Sequence, residues 1–532
     1  MKKNLIIKAL TLVVLTGGLV SCNKKLDLLP TNDITSATVY STPTGYKQAF
    51  AKVYGSFALT GNVGPAGDDN TKDVKGIDEG TSDFLRLFWK AQELSTDEAV
   101  IAWGDVGIQD FHNMNWSAAN PFLKGLYYRS LYQVTLANDF IRQSADDQLS
   151  SRGISGADAD KIRQFRAEAR FLRAFQYWVL LDLYGSVPLV TEADLIGVTI
   201  PKQADRKTIF AYVESELLAI EPTLAAPKSN EYGRADKAAA WALLARLYLN
   251  AEVYTGTQKN KEAIDYSSKV IGAGYSLISN YPFIMLADNN LNTSENIFTI
   301  NYDGLRTQSY GGTTFLTHAP VGGSESASNF GISGGWGGAR TTKALPNLFP
   351  DYTGAADKRS QFYTTGQNLE IKDQGAFTDG FAVTKYRNVT RTGAVGQSLD
   401  FADVDFPLFR LSEMYLIYAE ATLRGGAGGN AATALNYINI IRTRAYGNAS
   451  GNVTAGALTL NFILDERARE LYWEGFRRTD LIRFGRFTTA TYLWPFKGGV
   501  AGGRSVEDFR NIYPIPTDDI TANPTLKQNP GY

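Results

Sequence analysis

Residues 234–254 read RADKAAAWALLARLYLNAEVY, and residues 260–271 read NKEAIDYSSKVI. In the first, Trp241, Leu244, Ala245 and Tyr248 recur at i, i+3, i+4 and i+7, the spacing of one face of an α-helix. The alanines at 238–240, 242 and 245 remove side-chain bulk and let a second helix approach closely. The same grammar returns at residues 409–423 (FRLSEMYLIYAEATL) and 431–445, joined by Gly425-Gly426-Ala427-Gly428-Gly429. Paired helices with small-residue contacts are the pattern of tetratricopeptide repeats. Periodicity alone fits an ordinary helical domain equally well, because no strict 34-residue period is visible.

Working outward, the chain turns helical from about Thr44. Segment 118–143 places Phe122, Leu126, Leu131, Val134, Ala137, Phe140 and Ile141 at helical spacing. Segment 160–184 aligns Phe165, Ala169, Leu172, Phe175 and Val179, with Arg163, Arg166, Glu168, Arg170 and Arg173 on the other side and Gly185 as a stop. The expected class is mostly α. Residues 276–405 differ: they are rich in Gly, Thr, Ser, Asn and aromatics and lack helical period. They read as loops and short strands laid on the helical scaffold, where binding groups concentrate. Helical segments flank this region on both sides, so 41–532 reads as a single domain.

Composition narrows the function. Of 532 residues, 44% are hydrophobic, enough for a large core. Lys and Arg number 53 against 54 Asp and Glu, which lacks the basic excess of a general nucleic-acid binder. One Cys excludes an internal disulfide framework and a Cys-cluster zinc site. Two His, His112 and His318, leave little for relay catalysis and read as ordinary polar positions. The Gly-rich stretch 331–338 lacks the Gly-Lys-Ser/Thr ending of a phosphate loop. Paired acids such as Asp78-Glu79 and Asp97-Glu98 are neighbours in the chain, which does not set them across a scissile bond.

The first twenty-two residues, MKKNLIIKALTLVVLTGGLVSC, begin basic and continue apolar, too briefly for a spanning helix. They fit a secretory signal peptide, residues 1–21. Leu19-Val20-Ser21-Cys22 matches a lipobox and predicts cleavage before Cys22 with acylation of its thiol. Cleavage removes three lysines and no acids, leaving 50 basic and 54 acidic residues. Residues 22–40 read as the lipidated tether, so the chain is anchored to a membrane without crossing it.

Aromatics are abundant, with 28 Tyr, 28 Phe and 8 Trp, and Gly reaches 50. Pyranose rings present an apolar C–H face that stacks on Trp or Tyr while polar groups bond the hydroxyls. Trp336 between glycine pairs, Tyr310 before Gly311-Gly312 and Trp103 before Gly104 are the loop rings suited to that role. Trp178 and Trp241 lie in helical patterns and read as core. Asp288 in a polar loop is a solvated acid, or at most a ligand for a structural cation. No cofactor is expected.

Several stretches in order resemble the SusD/RagB family of Bacteroidetes surface lipoproteins. They are Glu93-Leu94-Ser95-Thr96-Asp97-Glu98, then 406–416 (FPLFRLSEMYL) with Tyr418-Ala419-Glu420-Ala421. Asp465–Leu471, Glu474-Gly475 and Arg477–Gly485 follow, and Tyr513-Pro514-Ile515-Pro516 and Gln528–Tyr532 close the chain. The resemblance implies a SusD-like fold of tetratricopeptide-like helix pairs with a loop-rich ligand face. It also implies a non-catalytic binder at the outer membrane, on the cell surface, with a SusC-like TonB-dependent transporter as partner and no nucleic acid. Within the family the chain is most similar to the starch-binding member, which Asp78-Glu79-Gly80, Arg86, Ala102-Trp103, Tyr310-Gly311-Gly312 and Gly335-Trp336 match. That similarity implies starch or maltooligosaccharide as ligand, with Trp103, Tyr310 and Trp336 as a stacking arc and Asp78 and Arg86 bonding hydroxyls. Ile101 stands where that member has another tryptophan, and Gly104-Asp105-Val106 stands where a binding asparagine is expected. The same family admits a fructan or host-glycan binder, or a structural lid of the transporter.

Overall fold

The computed structural model describes residues 36–65, 72–75, 77–78, 82–194, 197–198 and 200–532. Cys22 and the leader lie outside the described residues. The last part of the expected tether forms a short helix, Ser36–Val39. The chain divides into two units, one before Phe50 and the other Phe50–Tyr532.

In the larger unit, successive helices pack in sequence order. Pro121–Gln143 packs on Gly156–Leu183, which packs on Arg206–Ile220; Lys237–Leu249 packs on Asn260–Ile271. Asn260–Ile271 then meets Leu411–Leu423, which packs on Ala431–Tyr446. The helix array therefore runs on across the loop-rich region as though residues 272–410 were an insertion. Local stops explain the ends. Asn120 accepts from the Phe122 and Leu123 amides, Asp236 from Ala239, and Asn430 from Thr433. The alanine-rich helix is as expected: Ala238–Ala240, Ala242 and Ala245 are all fully buried.

The insertion contains short two-stranded antiparallel pairs. Asn296–Ile300 pairs with Phe406–Arg410, with register shifts at Phe298, and ties its two ends together. Val100–Ile101 pairs with Ala339–Arg340 and ties it to the loop after the Phe84–Glu93 helix.

Three readings of the helices need correction. Glu168 and Arg173 do not dress the solvent side of their helix; both are buried. Glu168 accepts from Arg234, Asn230 and Tyr54, and Arg173 reaches Glu216 at 2.7 Å and Asn138 at 2.6 Å. Trp241 is only half-buried and donates its indole N–H to Glu221. Asp288 is not simply solvated, since its carboxylate pairs with Arg391 at 2.9 Å.

The core is ionic as well as apolar. Arg410 is fully buried and donates to Glu474 (2.8 Å), Glu470 (2.5 Å) and Glu295 (3.0 Å). Arg359 forks onto Asp357 and reaches Glu466 at 2.7 Å; Arg444 also meets Glu470. Three arginines hold Glu466 and three hold Glu470, and their fields overcome the cost of burial. Glu470 is thereby lowered to about 2 and Glu466 falls below that. Arg477 forks onto Asp97, and Arg246 forks onto Glu413, each with two bonds of 2.6–2.8 Å. These pairs join segments distant in sequence.

A carboxyl pair beside this network behaves oppositely. Glu93 accepts from the Gly475 amide, and Glu98 accepts from the Trp473 amide. Glu93 Oε2 has no ordinary donor and lies against the Glu98 carboxyl, so the contact needs a shared proton. Burial pushes Glu93 up to about 7; burial and then the Glu93 charge push Glu98 well above the usual range.

Arg410→Ala leaves Glu470 and Glu474 short of their buried cation and is expected to cost about 3–5 kcal/mol, read as a lower urea midpoint. The carboxyl pair predicts the sign of a pH effect. A raised folded-state pKa gives stability that is full below the unfolded value near 4.5 and is lost as pH climbs through 7. The pair's share of the unfolding free energy, read from urea melts, should therefore fall between pH 5 and pH 8 by on the order of 2 kcal/mol, seen as a shallower fall in Glu98→Gln than in the parent chain.

Candidate functional site

Asp83 organises one wall of the site. Its Oδ1 accepts from the Arg86 amide and caps the Phe84–Glu93 helix. The same atom accepts from the Gly312 amide at 3.1 Å, at the start of the Gly312–His318 helix. Two helices are thus started by one buried carboxylate, which fixes Arg86 relative to Tyr310. A side chain at Gly311 would collide with Asp83, its Cβ falling 2.0 Å from the carboxyl carbon. Glycine here serves the close approach of the Asp83 carboxyl.

Trp103 leaves the short strand Val100–Ile101, and Trp336 precedes the partner strand Ala339–Arg340. The antiparallel pairing brings the two indoles together at 6.3 Å between centroids, tilted by 46°. The Trp103 N–H donates to the Trp336 carbonyl at 3.2 Å. Tyr310 lies 6.5 Å from Trp336 at 63°. The three rings expected from sequence therefore meet, with neighbouring planes inclined at 46° and 63°. Tyr310 is 41% exposed; both indoles are half-buried.

Other side chains back this surface. Phe315 sits 6.1 Å from Trp103 and 5.3 Å from Trp89, a buried indole that contacts Trp473. Phe401 backs Tyr310 at 5.6 Å. His318 lies against Trp336 at 4.9 Å and 31°, with its ring nitrogens facing the Thr314 and Leu399 carbonyls. The Trp336 amide donates to the His318 carbonyl. His318 is thus no ordinary polar position, and burial lowers its pKa. His112 is also structural: buried, it accepts the Ile101 N–H, and burial lowers it to about 4.

Arg86 packs its guanidinium over Phe315 (4.9 Å), Trp103 (5.6 Å) and Trp336 (5.9 Å), and donates to the Tyr310 carbonyl at 3.1 Å. It braces all three rings in addition to any bond with a ligand. Asp78 is exposed and lies within electrostatic reach of Lys90. Lys90 was not singled out in the sequence. It is buried, 3.9 Å from the Phe122 ring, and burial followed by repulsion from Arg86 lowers its pKa well below the lysine range. No sequence signal marks Lys90, Phe315 or Phe401, because each belongs to an ordinary apolar pattern.

Residues 331–335 spell Gly-x-Ser-x-Gly, the pattern of a nucleophile elbow. The geometry does not support that chemistry. Ser333 donates directly to Asp400 at 2.5 Å, while the nearby His318 ring nitrogens are engaged elsewhere.

A scaffold of successive helix pairs carrying an aromatic surface on its loops is a SusD-like arrangement, and the chain belongs to the SusD family. The profile of that family matches residues 363–532, and a second profile, described as starch-binding associating with outer membrane, matches residues 87–249. The chain is 36% identical to the starch-binding protein SusD of Bacteroides thetaiotaomicron over 98% of each chain. It is 24% identical to a SusD-like protein of Bacteroides ovatus, over 94% of this chain and 86% of the relative. Among solved structures, surface glycan-binding protein A from Bacteroides fluxus superposes with a TM-score of 0.72 at 21% identity, over 92% of this chain and all of that one. The same-named protein of Bacteroides thetaiotaomicron, solved with laminarihexaose, gives 0.69 at 22%, over 91% and 99%.

Gly338 supplies a direct test of the geometry. A Cβ there would stand 2.4 Å from the Trp103 indole. Gly338→Ala should displace that ring and change near-ultraviolet circular dichroism and tryptophan emission, with far-ultraviolet helix content preserved.

Proposed function

We propose that this protein is a non-catalytic binder of starch-type glucan, captured on the Trp103–Trp336–Tyr310 surface. The observation that carries the reading is the meeting of three loop rings whose neighbouring planes are inclined at 46° and 63°, which we read as a curved platform. A flat row of rings suits a ribbon-like glycan, whereas a curved one suits the coil of an α-1,4-glucan. Identity of 36% to the starch-binding SusD over nearly the whole chain supports the same ligand class. Arg86, packed against the rings, keeps the arc preformed, which limits the ordering cost of binding. Asp78 and Arg86 are the polar partners for sugar hydroxyls at its edge.

Binding is weak at one site, with Kd on the order of 10 μM to 1 mM, which suits handing the glycan on. The recipient is a SusC-like TonB-dependent transporter in the outer membrane, to which acylated Cys22 confines the protein at the cell surface.

Trp336→Ala or Trp103→Ala is expected to abolish retention on amylose in affinity electrophoresis, with circular dichroism unchanged. Unaltered retention in both variants sinks the arc. A glycan panel containing α-glucans, laminarin, fructan and mucin sugars checks the class, and only the α-glucans should bind. Co-purification with the transporter despite failure to bind any glycan would instead favour a structural lid.

A further inference from the structure

A second cleft lies one short helix away from Trp103. Helix Gln109–Asn113 is pinned to the strand that delivers that indole. The Gln109 amide donates to the Trp103 carbonyl at 3.0 Å, and His112 accepts the Ile101 N–H at 3.1 Å. At the other end of the helix, Asn113 and Asn115 face Gly498, Gly499, Arg504 and Glu507 across a cavity of about 390 Å³. Chain direction reverses there by left-handed backbone at Met114 (φ 50°), Gly498 (67°) and Gly499 (80°). Arg510, stacked on Trp116 and Phe509 and bonded to the Trp116 carbonyl, forms its rigid back wall.

The polar groups of this cleft are uncommitted. Arg504 donates only its Nε, to the Gly498 carbonyl at 2.8 Å, so its two terminal nitrogens remain available. Among the described residues the side-chain carboxamides of Asn113 and Asn115 and the carboxylate of Glu507 make no hydrogen bond or ion pair. The set therefore offers donors and acceptors together. A guanidinium fork and carboxamides bridge adjacent hydroxyls, and a carboxylate accepts from them. An anion would meet Glu507, whereas a sugar hydroxyl both donates and accepts. Val500, 42% exposed on the adjoining loop, gives an apolar edge.

We propose that this cleft is a second, weaker carbohydrate subsite that takes the hydroxyl-rich edge of a neutral sugar. Only the five-residue helix Gln109–Asn113 separates it from the Trp103 strand, so one long glycan is inferred to reach both. Two weak contacts on one chain then act as a multivalent pair, favouring polymer over short oligosaccharide. The choice of glucan as probe rests on the reading above, while the cleft itself does not.

Asn115 and Arg504 are both exposed, so replacing them spares the core. The double variant Asn115→Ala/Arg504→Ala should bind maltotriose with unchanged affinity by calorimetry. Its retention on amylose should fall roughly tenfold. In a Tyr310→Ala/Trp336→Ala background, saturation-transfer NMR with maltoheptaose should still show millimolar binding. Adding Asn115→Ala/Arg504→Ala to that background should remove it. The subsite is overturned if the platform variant shows no residual binding, or if residual binding survives the cleft substitutions. It is also overturned if maltotriose and amylose binding fall together. Loss of the arc reading has a different signature: Tyr310→Ala/Trp336→Ala binds as well as the parent chain, and the cleft is then judged by the Asn115 and Arg504 variants alone.

Discussion

The arrangement depends on the buried cation at Arg410. Its guanidinium links Glu295 at the start of one strand, Glu470 on the Leu460–Leu471 helix and Glu474 in the following turn. Arg359 and Arg444 share Glu470, and Lys385 shares Glu474 at 2.7 Å. A lone buried charge is costly, so each member stays buried only while its partners are in place. That mutual requirement holds the loop-rich insertion against the helix array. Pure apolar packing tolerates sliding; forked Arg–carboxylate contacts fix direction and register.

The aromatic surface inherits its rigidity from this framework by a traceable route. Glu98 accepts from both the backbone and, through its carbonyl, the indole of Trp473. Trp473 packs on Trp89, Trp89 on Phe315, and Phe315 on Trp103. Asp83 supplies the second anchor, capping one helix and starting another. Three rings from loops far apart in sequence thus stand on a base with little freedom. Such preformation is what selection by shape requires.

The residues that carry the family resemblance and those that form the candidate site are different sets. Glu93–Glu98, Phe406–Leu416, Asp465–Leu471 and Arg477–Gly485 contain Asp97, Arg410, Glu413, Glu466, Glu470 and Arg477, members of the buried ionic framework. They identify the fold because a paired buried charge cannot be changed singly. They say little about the ligand. Trp103, Tyr310 and Trp336 were legible as loop rings beside glycine, but what the glycines do was not: Gly338 and Gly311 make room for Trp103 and Asp83. His318 and Lys90 were not legible as neighbours of the site, since only the folded chain sets them against Trp336 and Arg86.

The amino-acid order by itself determined the helix pairs, their approximate limits, the position of the insertion and which loop rings stood clear of helical cores. Those are local properties, written in 3.6-residue periodicity, capping side chains and glycine breaks. Tertiary structure alone decided that Glu168 and Arg173 face inward, that Glu93 and Glu98 lie against each other, and that three loop rings meet. Each of these depends on partners tens to hundreds of residues away, and no local pattern encodes such a meeting.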